Sequence, residues 1–270
     1  MLQSRIQRPI PERLSHYTDL AALKSILSDQ EGKGICLWAF SNRYKNDDQE
    51  IRMGEYMLKR ILETPSFPKA SLLHQFGGYE NTASFSFMEG EVNEHMLEYG
   101  CFRLEFDLRE LGIGLLTDGL IDCEYVPENE LEEYADEYCE MICQTYNSIP
   151  DLQKKFGKIS SPPINNLISF IMMENDIMTK VLGLKEQQWS EEMEWRKVFT
   201  FKKDSEIHHY EGKPYIEYYL DKHFLTGITV FYKNGGLEEA QSYADDIKKY
   251  ILERGYNAKV RIERFDRYMG

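Results

Sequence analysis

Thr82-Ala83-Ser84-Phe85-Ser86-Phe87 alternates hydroxyl-bearing and apolar side chains with a period of two. Successive side chains of an extended chain point to opposite faces, so the stretch reads as a strand with Ser84 and Ser86 on one face and Phe85 on the other. Two hydroxyls turned into a core need partners. Turned toward a cleft, they bind a ligand or brace a carboxylate; a solvated polar face is the plain alternative. Phe102-Arg103-Leu104-Glu105-Phe106 repeats the alternation and reads as a second strand of the same kind.

Outward from this pair the pattern mixes both periods. Leu14 to Tyr17 reads as a short strand, with Thr18 as N-cap and Asp19 in the first turn of a helix over 19–28. Leu20, Leu23, Ile26 and Leu27 form the apolar stripe of that helix. Ile35 to Phe40 reads as a strand, and Asp47 to Glu50 has capping-box spacing that opens a helix to about Leu62. Glu130–Tyr146 and Pro163–Leu182 read as helices, the second opened by its proline. Strands are expected over 192–201, 215–220, 227–231 and 259–265. Leu237–Glu253 reads as a helix with Leu237, Ala240, Ala244, Ile247 and Ile251 on one side. The sum is one α+β domain over 1–270, a mixed sheet flanked by helices, with an acidic helical insertion at 126–185.

The chain has 270 residues, 42% hydrophobic and 29% charged, which rules out a disordered or fibrous protein. Lys and Arg number 32 against 46 Asp and Glu, a net charge of −14 that disfavours extended coating of a nucleic acid. The imbalance is local: no basic residue lies between Arg109 and Lys154, a span holding twelve acidic ones. Asp245 to Gly270 carries seven basic residues against five acidic, so a neutral or basic patch survives elsewhere. The five cysteines include no Cys-x-x-Cys, the first thirteen residues have no apolar core of a signal peptide, and no run of about 18 apolar residues occurs. These features imply a reducing cytoplasm and no membrane partner. Cys139 and Cys143, four apart on a helix, read either as half a metal site or as two small half-buried residues.

Three further segments could carry chemistry. His16-Tyr17-Thr18 falls at a strand-to-helix junction, where helix N–H groups attract phosphate, a histidine bonds a ribose hydroxyl and a tyrosine stacks on a flat ring. An ordinary capped helix explains the same residues. In Glu192-Met193-Glu194-Trp195-Arg196, read as a strand, Glu192, Glu194 and Arg196 share one face while Met193 and Trp195 take the other. A solvated edge tolerates two carboxylates relieved by one arginine, and a cleft would use them to stabilise a cationic sugar-like transition state. Asn46-Asp47-Asp48-Gln49-Glu50 reads as a helix cap or polar rim, and His208-His209 as a polar loop with no carboxylate at metal-ligand spacing. No P-loop, Gly-x-Gly-x-x-Gly, Gly-x-Ser-x-Gly or His-Glu-x-x-His is present.

Taken in order, His16-Tyr17-Thr18, Asn46-Asp47-x-x-Glu50, Ser84-Phe85-Ser86 and Glu192-x-Glu194-Trp195-Arg196 resemble a bacterial family of domains of unknown function. That family runs His-Tyr-Thr, Asn-Asp-Pro-x-Glu, Ser-Phe-Ser and Glu-x-Glu-Trp-Arg, and the resemblance spans Leu14 to Phe265. Asp48 stands where the family has Pro, and Leu97 where a Met-Trp pair would end in Trp. The family is in turn similar to ADP-ribosyltransferases, which grip NAD in a bent, split mixed sheet. They place a His or Arg on the first strand, Ser-x-Ser or Tyr on a middle strand and Glu on a later one. The resemblance implies His16 on the nicotinamide-side ribose, Tyr17 and Thr18 lining the pocket, and Ser84 and Ser86 bracing it. It implies Glu194 as catalytic carboxylate, Glu192 positioning a nucleophile, and Arg196 behind the carboxylate or on a phosphate. It also implies NAD as substrate, no metal, a macromolecular acceptor and a setting in phage defence or toxin conflict. Two other readings stay open: a non-catalytic module that binds a nucleotide or partner, and a metal-dependent nuclease using His16 with acidic residues.

Overall fold

The computed structural model describes residues 8–44, 48–64, 81–90, 92, 95–112, 119–156, 176–201, 206–233 and 235–265. The fold is α+β with a mixed sheet and several helices. Its strands are β1 (Leu14–Thr18), β2 (Ile35–Ser41), β3 (Thr82–Met88), β4 (Phe102–Phe106), β5 (Leu120–Asp122), β6 (Glu124–Val126), β7 (Leu184–Glu186), β8 (Glu194–Thr200), β9 (His208–Tyr210), β10 (Lys213–Leu220), β11 (Leu225–Tyr232) and β12 (Lys259–Arg264). The helices are α1 (Leu20–Ile26), α2 (Asp48–Glu63), α3 (Leu131–Phe156), α4 (176–183) and α5 (Leu237–Glu253).

Ten strands form one sheet that branches at β3. β8 pairs with β3 along its whole length, from Thr82↔Thr200 to Met88↔Glu194. The opposite edge of β3 is shared: β2 meets it at Ala83 and Ser84, and β1 at Met88. The order runs β12-β11-β4-β1-β3-β2-β10-β9, with β8 and β5 branching from β3. Between its contacts with β2 and β1, the edge of β3 around Ser86 opens into a fork.

Strand alternation builds the main core. Phe85 and Phe87 of β3, Leu104 and Phe106 of β4, and Ile228 and Val230 of β11 point to one side. Leu23 and Leu27 of α1 and Ala240, Ala244, Ile247 and Ile251 of α5 cover them. Each fully buried Leu, Ile, Val or Phe among them contributes about 1.5–3 kcal/mol of apolar burial. A second core lies where α2, α3 and α4 meet through Met53, Met57, Tyr138, Ile142, Ile177 and Val181. A Cβ at Gly54 would fall 2.0 Å from the Val181 carbonyl oxygen, so only glycine lets α2 pass this close to α4. β6 and β7 pair in parallel, from Glu124↔Leu184 to Val126↔Glu186. Among the described residues no helix is long and apolar enough to cross a membrane.

Several sequence expectations change. Thr18 does not cap α1: it is still in β1, paired with Phe102, and Asp19 Oδ1 accepts from Ala22 N–H at 2.8 Å instead. Leu237 opens α5 but is 52% exposed, so the buried stripe begins at Ala240. His208-His209 is a strand rather than a loop, because a tight turn at Glu211 and Gly212, both with positive φ, folds β9 back onto β10. α3 runs on to Phe156, past Tyr146. Asn46 and Asp47, and the start of the helix expected at Pro163, lie outside the described residues.

Candidate functional site

β8 begins at Glu194 because the chain turns just before it. Gln187–Glu192 is a 3-10 turn and Met193 takes a left-handed conformation at φ 45°, so Glu192 is not on the strand as its spacing suggests. The two carboxylates still converge, because one lysine of β7 reaches both. Lys185 Nζ lies 2.7 Å from Glu192 Oε2 and 2.6 Å from Glu194 Oε2. Arg196, two residues along β8 and on the same face, donates from Nε to Glu194 Oε1 at 2.9 Å and from Nη2 to Oε2 at 3.1 Å. Its Nη1 donates to the Leu182 carbonyl at 2.7 Å. Ser86, opposite Arg196 in the ladder, donates its hydroxyl to Glu194 Oε1. The Glu194 N–H donates to the Tyr125 hydroxyl at 2.7 Å.

Lys185, Glu192, Glu194 and Arg196 are each at most 3% exposed. Two cations and two anions balance, which such burial demands: an isolated buried charge costs several kcal/mol. Desolvation works against the Lys185 ammonium, but Glu194 and Glu192 outweigh it and hold its pKa above the ordinary lysine value. Burial, then the charge of Glu194, pushes the neighbouring Cys123 thiol up to about 12, so it stays protonated and unreactive at neutral pH.

His16 stands on the other side of Ser86. Its Nδ1 lies 3.0 Å from the Ser86 carbonyl oxygen, in the fork where β1 and β3 part. A carbonyl only accepts, so Nδ1 carries the proton. Burial pushes the imidazole pKa below 6.5, only partly offset by that carbonyl, and the ring is neutral at pH 7 with Nε2 as an acceptor. The ring packs edge-on to Phe87 at 6.3 Å, on the face of β3 away from the Ser86 hydroxyl. Ser86 thus holds His16 through its carbonyl and Glu194 through its hydroxyl, and Ser86 and His16 stay partly exposed while Glu194 does not.

The depressed His16 pKa has a stability consequence. The unfolded chain takes up a proton near pH 6.5 that the folded one refuses, so this stability is complete above 6.5 and is lost as pH falls below it. His16→Gln should therefore shrink the loss of chemical-denaturation stability between pH 7.5 and 5.5. An unchanged loss would show that His16 does not drive it.

The remaining expected residues lie apart. Ser84 donates to Asn42 Oδ1 at 2.6 Å, and Asn42 Nδ2 donates to Thr82 Oγ1 at 2.7 Å, a separate buried network. Tyr17 packs in an apolar cluster with Met88, Met96 and Phe231. Thr18 is buried where Gly100, at φ 138°, lies too close for any Cβ: one there would fall 2.1 Å from the Thr18 carbonyl. So Ser86, Glu192, Glu194 and Arg196 come together with His16 adjacent, while Ser84, Tyr17 and Thr18 serve other contacts.

Sequence reasoning missed Lys185, Tyr125 and a cluster on the outer side of Glu192. There His95 Nε2 lies 3.0 Å from Glu192 Oε1, the Tyr99 hydroxyl donates to the same oxygen at 3.3 Å, and Trp189 packs 4.3 Å from the His95 ring. The one cue to Lys185 is a lysine after the apolar run Val181-Leu182-Gly183-Leu184. A cavity of about 650 Å³ lies behind the turn that carries His95 and Tyr99, lined by Leu97, Cys101, Phe231, Lys233, Tyr243 and Phe265 among others; no expected site residue lines it. Among the described residues no group of three or more His, Cys, Asp or Glu side chains is placed to hold a metal ion. Set against protein-family models, curated proteins and solved structures, the chain matches none.

Proposed function

We propose that the junction of β1, β3 and β8 is the NAD site of an ADP-ribosyltransferase-like protein that breaks the nicotinamide–ribose bond and transfers ADP-ribose. One observation carries the reading: Ser86 is hydrogen-bonded both to His16 and to Glu194, residues 70 and 108 positions away in the chain. A His strand, a Ser-x-Ser strand and a Glu strand thereby stand side by side, the arrangement that the resemblance implies. On this reading the His16 Nε2 lone pair accepts a ribose hydroxyl, and Ser86 orients the Glu194 carboxylate. As the glycosidic bond breaks, its electron pair leaves with the nicotinamide nitrogen, and the carboxylate stabilises the oxocarbenium-like sugar. An acceptor nucleophile then bonds to the same sugar carbon. The macromolecular acceptor and a setting in conflict with phage or rival cells rest on the resemblance alone.

A second reading, a non-catalytic module binding a nucleotide or partner, is favoured by the burial of Glu194. Its four lone-pair positions are taken by Ser86, Lys185 and the two arms of Arg196, so a ribose hydroxyl must displace one of them.

Incubation with NAD, following nicotinamide release and calorimetric binding, separates the two. The first reading expects wild-type release, a loss of about 10²–10⁴-fold in Glu194→Gln with binding retained, and weakened binding in His16→Ala. Binding without release supports the module. Neither binding nor release removes NAD, and metal-dependent cleavage of nucleic acid promotes the nuclease.

A further inference from the structure

We infer that Lys185 is the positioning residue of this site: an ammonium that moves between Glu194 and Glu192 and so decides which carboxylate is open to a ligand hydroxyl. The inference deepens the NAD reading and rests on it for the ligand. The argument is one of which donor can leave. Arg196 grips Glu194 with two nitrogens and is tied by its third to the Leu182 carbonyl, so moving it breaks three bonds. The Ser86 hydroxyl can rotate away, but it then gives up the hydrogen bond that orients the Glu194 carboxylate. Lys185 alone has a second carboxylate in hand: when its proton on Glu194 Oε2 is replaced by a ligand hydroxyl, Nζ stays bonded to Glu192 Oε2. The cluster keeps both its cations, and no charge is left buried without a partner.

The reverse movement frees Glu192. Its other oxygen faces His95 and Tyr99, on a turn nearer the surface, so a departure of Lys185 toward Glu194 leaves Glu192 to those two groups. The groups that surround the ammonium are Glu192 and Glu194 as anions, Arg196 as the second cation, and Cys123 and Tyr125, both held protonated by burial. His95 borders Glu192 from outside. One ammonium serving two carboxylates differs from a plain brace, because it must remain mobile as well as charged.

The test compares Lys185→Met with Lys185→Arg. Without the ammonium, two buried carboxylates face one arginine, and one of them takes up a proton. A carboxyl whose folded pKa is raised loses its stabilising effect as pH rises through that value. The melting temperature of Lys185→Met should therefore fall relative to wild type by at least about 5 °C more at pH 8 than at pH 5. Parallel profiles overturn the inference whatever NAD does. Lys185→Arg keeps the charge and serves as the second variant should Lys185→Met fail to fold. Its planar, forked head cannot pass between the carboxylates as a compact ammonium does. Nicotinamide release by Lys185→Arg should drop about 10²-fold in kcat with KM within about threefold of wild type. Rescue of wild-type kcat by arginine assigns Lys185 a structural role and overturns the inference. Diverging pH profiles with no nicotinamide release from wild type overturn the NAD reading and leave the shared ammonium standing.

Discussion

Arg196→Met should lower the free energy of unfolding by about 3–5 kcal/mol, read from urea titration at pH 7. The substitution keeps much of the side-chain volume, so the loss is electrostatic. Glu194 loses two of its four donors, the Leu182 carbonyl loses its partner, and Lys185 is left to balance two carboxylates at almost no exposure to water. The desolvation penalty of those groups is already incurred in the folded state, so removing one partner exposes it in full. Replacing Glu194 and Arg196 together, by Leu and Met, leaves the neutral pair Lys185–Glu192 and should cost less than Arg196→Met alone. A single variant within about 1 kcal/mol of wild type, or a double variant worse than the single, would show that the cluster is hydrated rather than dry.

Trp195→Ala should cost a similar amount, about 3–5 kcal/mol, by the same titration. Trp195 points to the opposite face of β8, opposite Phe87, and is fully buried in the main core. Its removal leaves a cavity that strands fixed by their ladders on both sides cannot close. It also strips Glu89 of the indole N–H at 3.1 Å, although Arg8 still reaches that carboxylate at 3.1 Å. Trp195→Phe should then cost only about 1–2 kcal/mol, mostly the smaller ring and the lost hydrogen bond. Equal losses for Ala and Phe would place the energy in the hydrogen bond and not in packing. Because Trp195 and Arg196 lie on opposite faces of one strand, their effects come from separate causes.

The long periodic elements were legible. The strand at Phe102–Phe106 and the helix at Leu237–Glu253 have the bounds that alternation and the 3.6-residue stripe predict. β5, β6, β7 and β9 were not, since three residues cannot display a period. Thr18 reads as a cap only while β1 is assumed to stop before it; pairing with Phe102 holds it in the sheet and passes the cap to Asp19. Glu192 reads as a strand residue because Glu-x-Glu-x-Arg fits period two, and the positive φ of Met193 that ends the pattern leaves no mark in a residue type so rarely found there.

The amino-acid order by itself determined which groups could meet on a strand face: Glu194 with Arg196, Ser84 with Ser86, and Trp195 away from them. These are local consequences of backbone geometry. The tertiary structure alone decided that Ser86 joins Glu194 while Ser84 turns to Asn42, and that His16 fills the fork of the sheet. It alone brought Lys185, from the three-residue strand β7 paired with β6, between Glu192 and Glu194. The physical reason is the cost of burial. Two carboxylates shut away from water need a second cation beside Arg196, and the strand register and the turn before β8 determine which lysine can reach them.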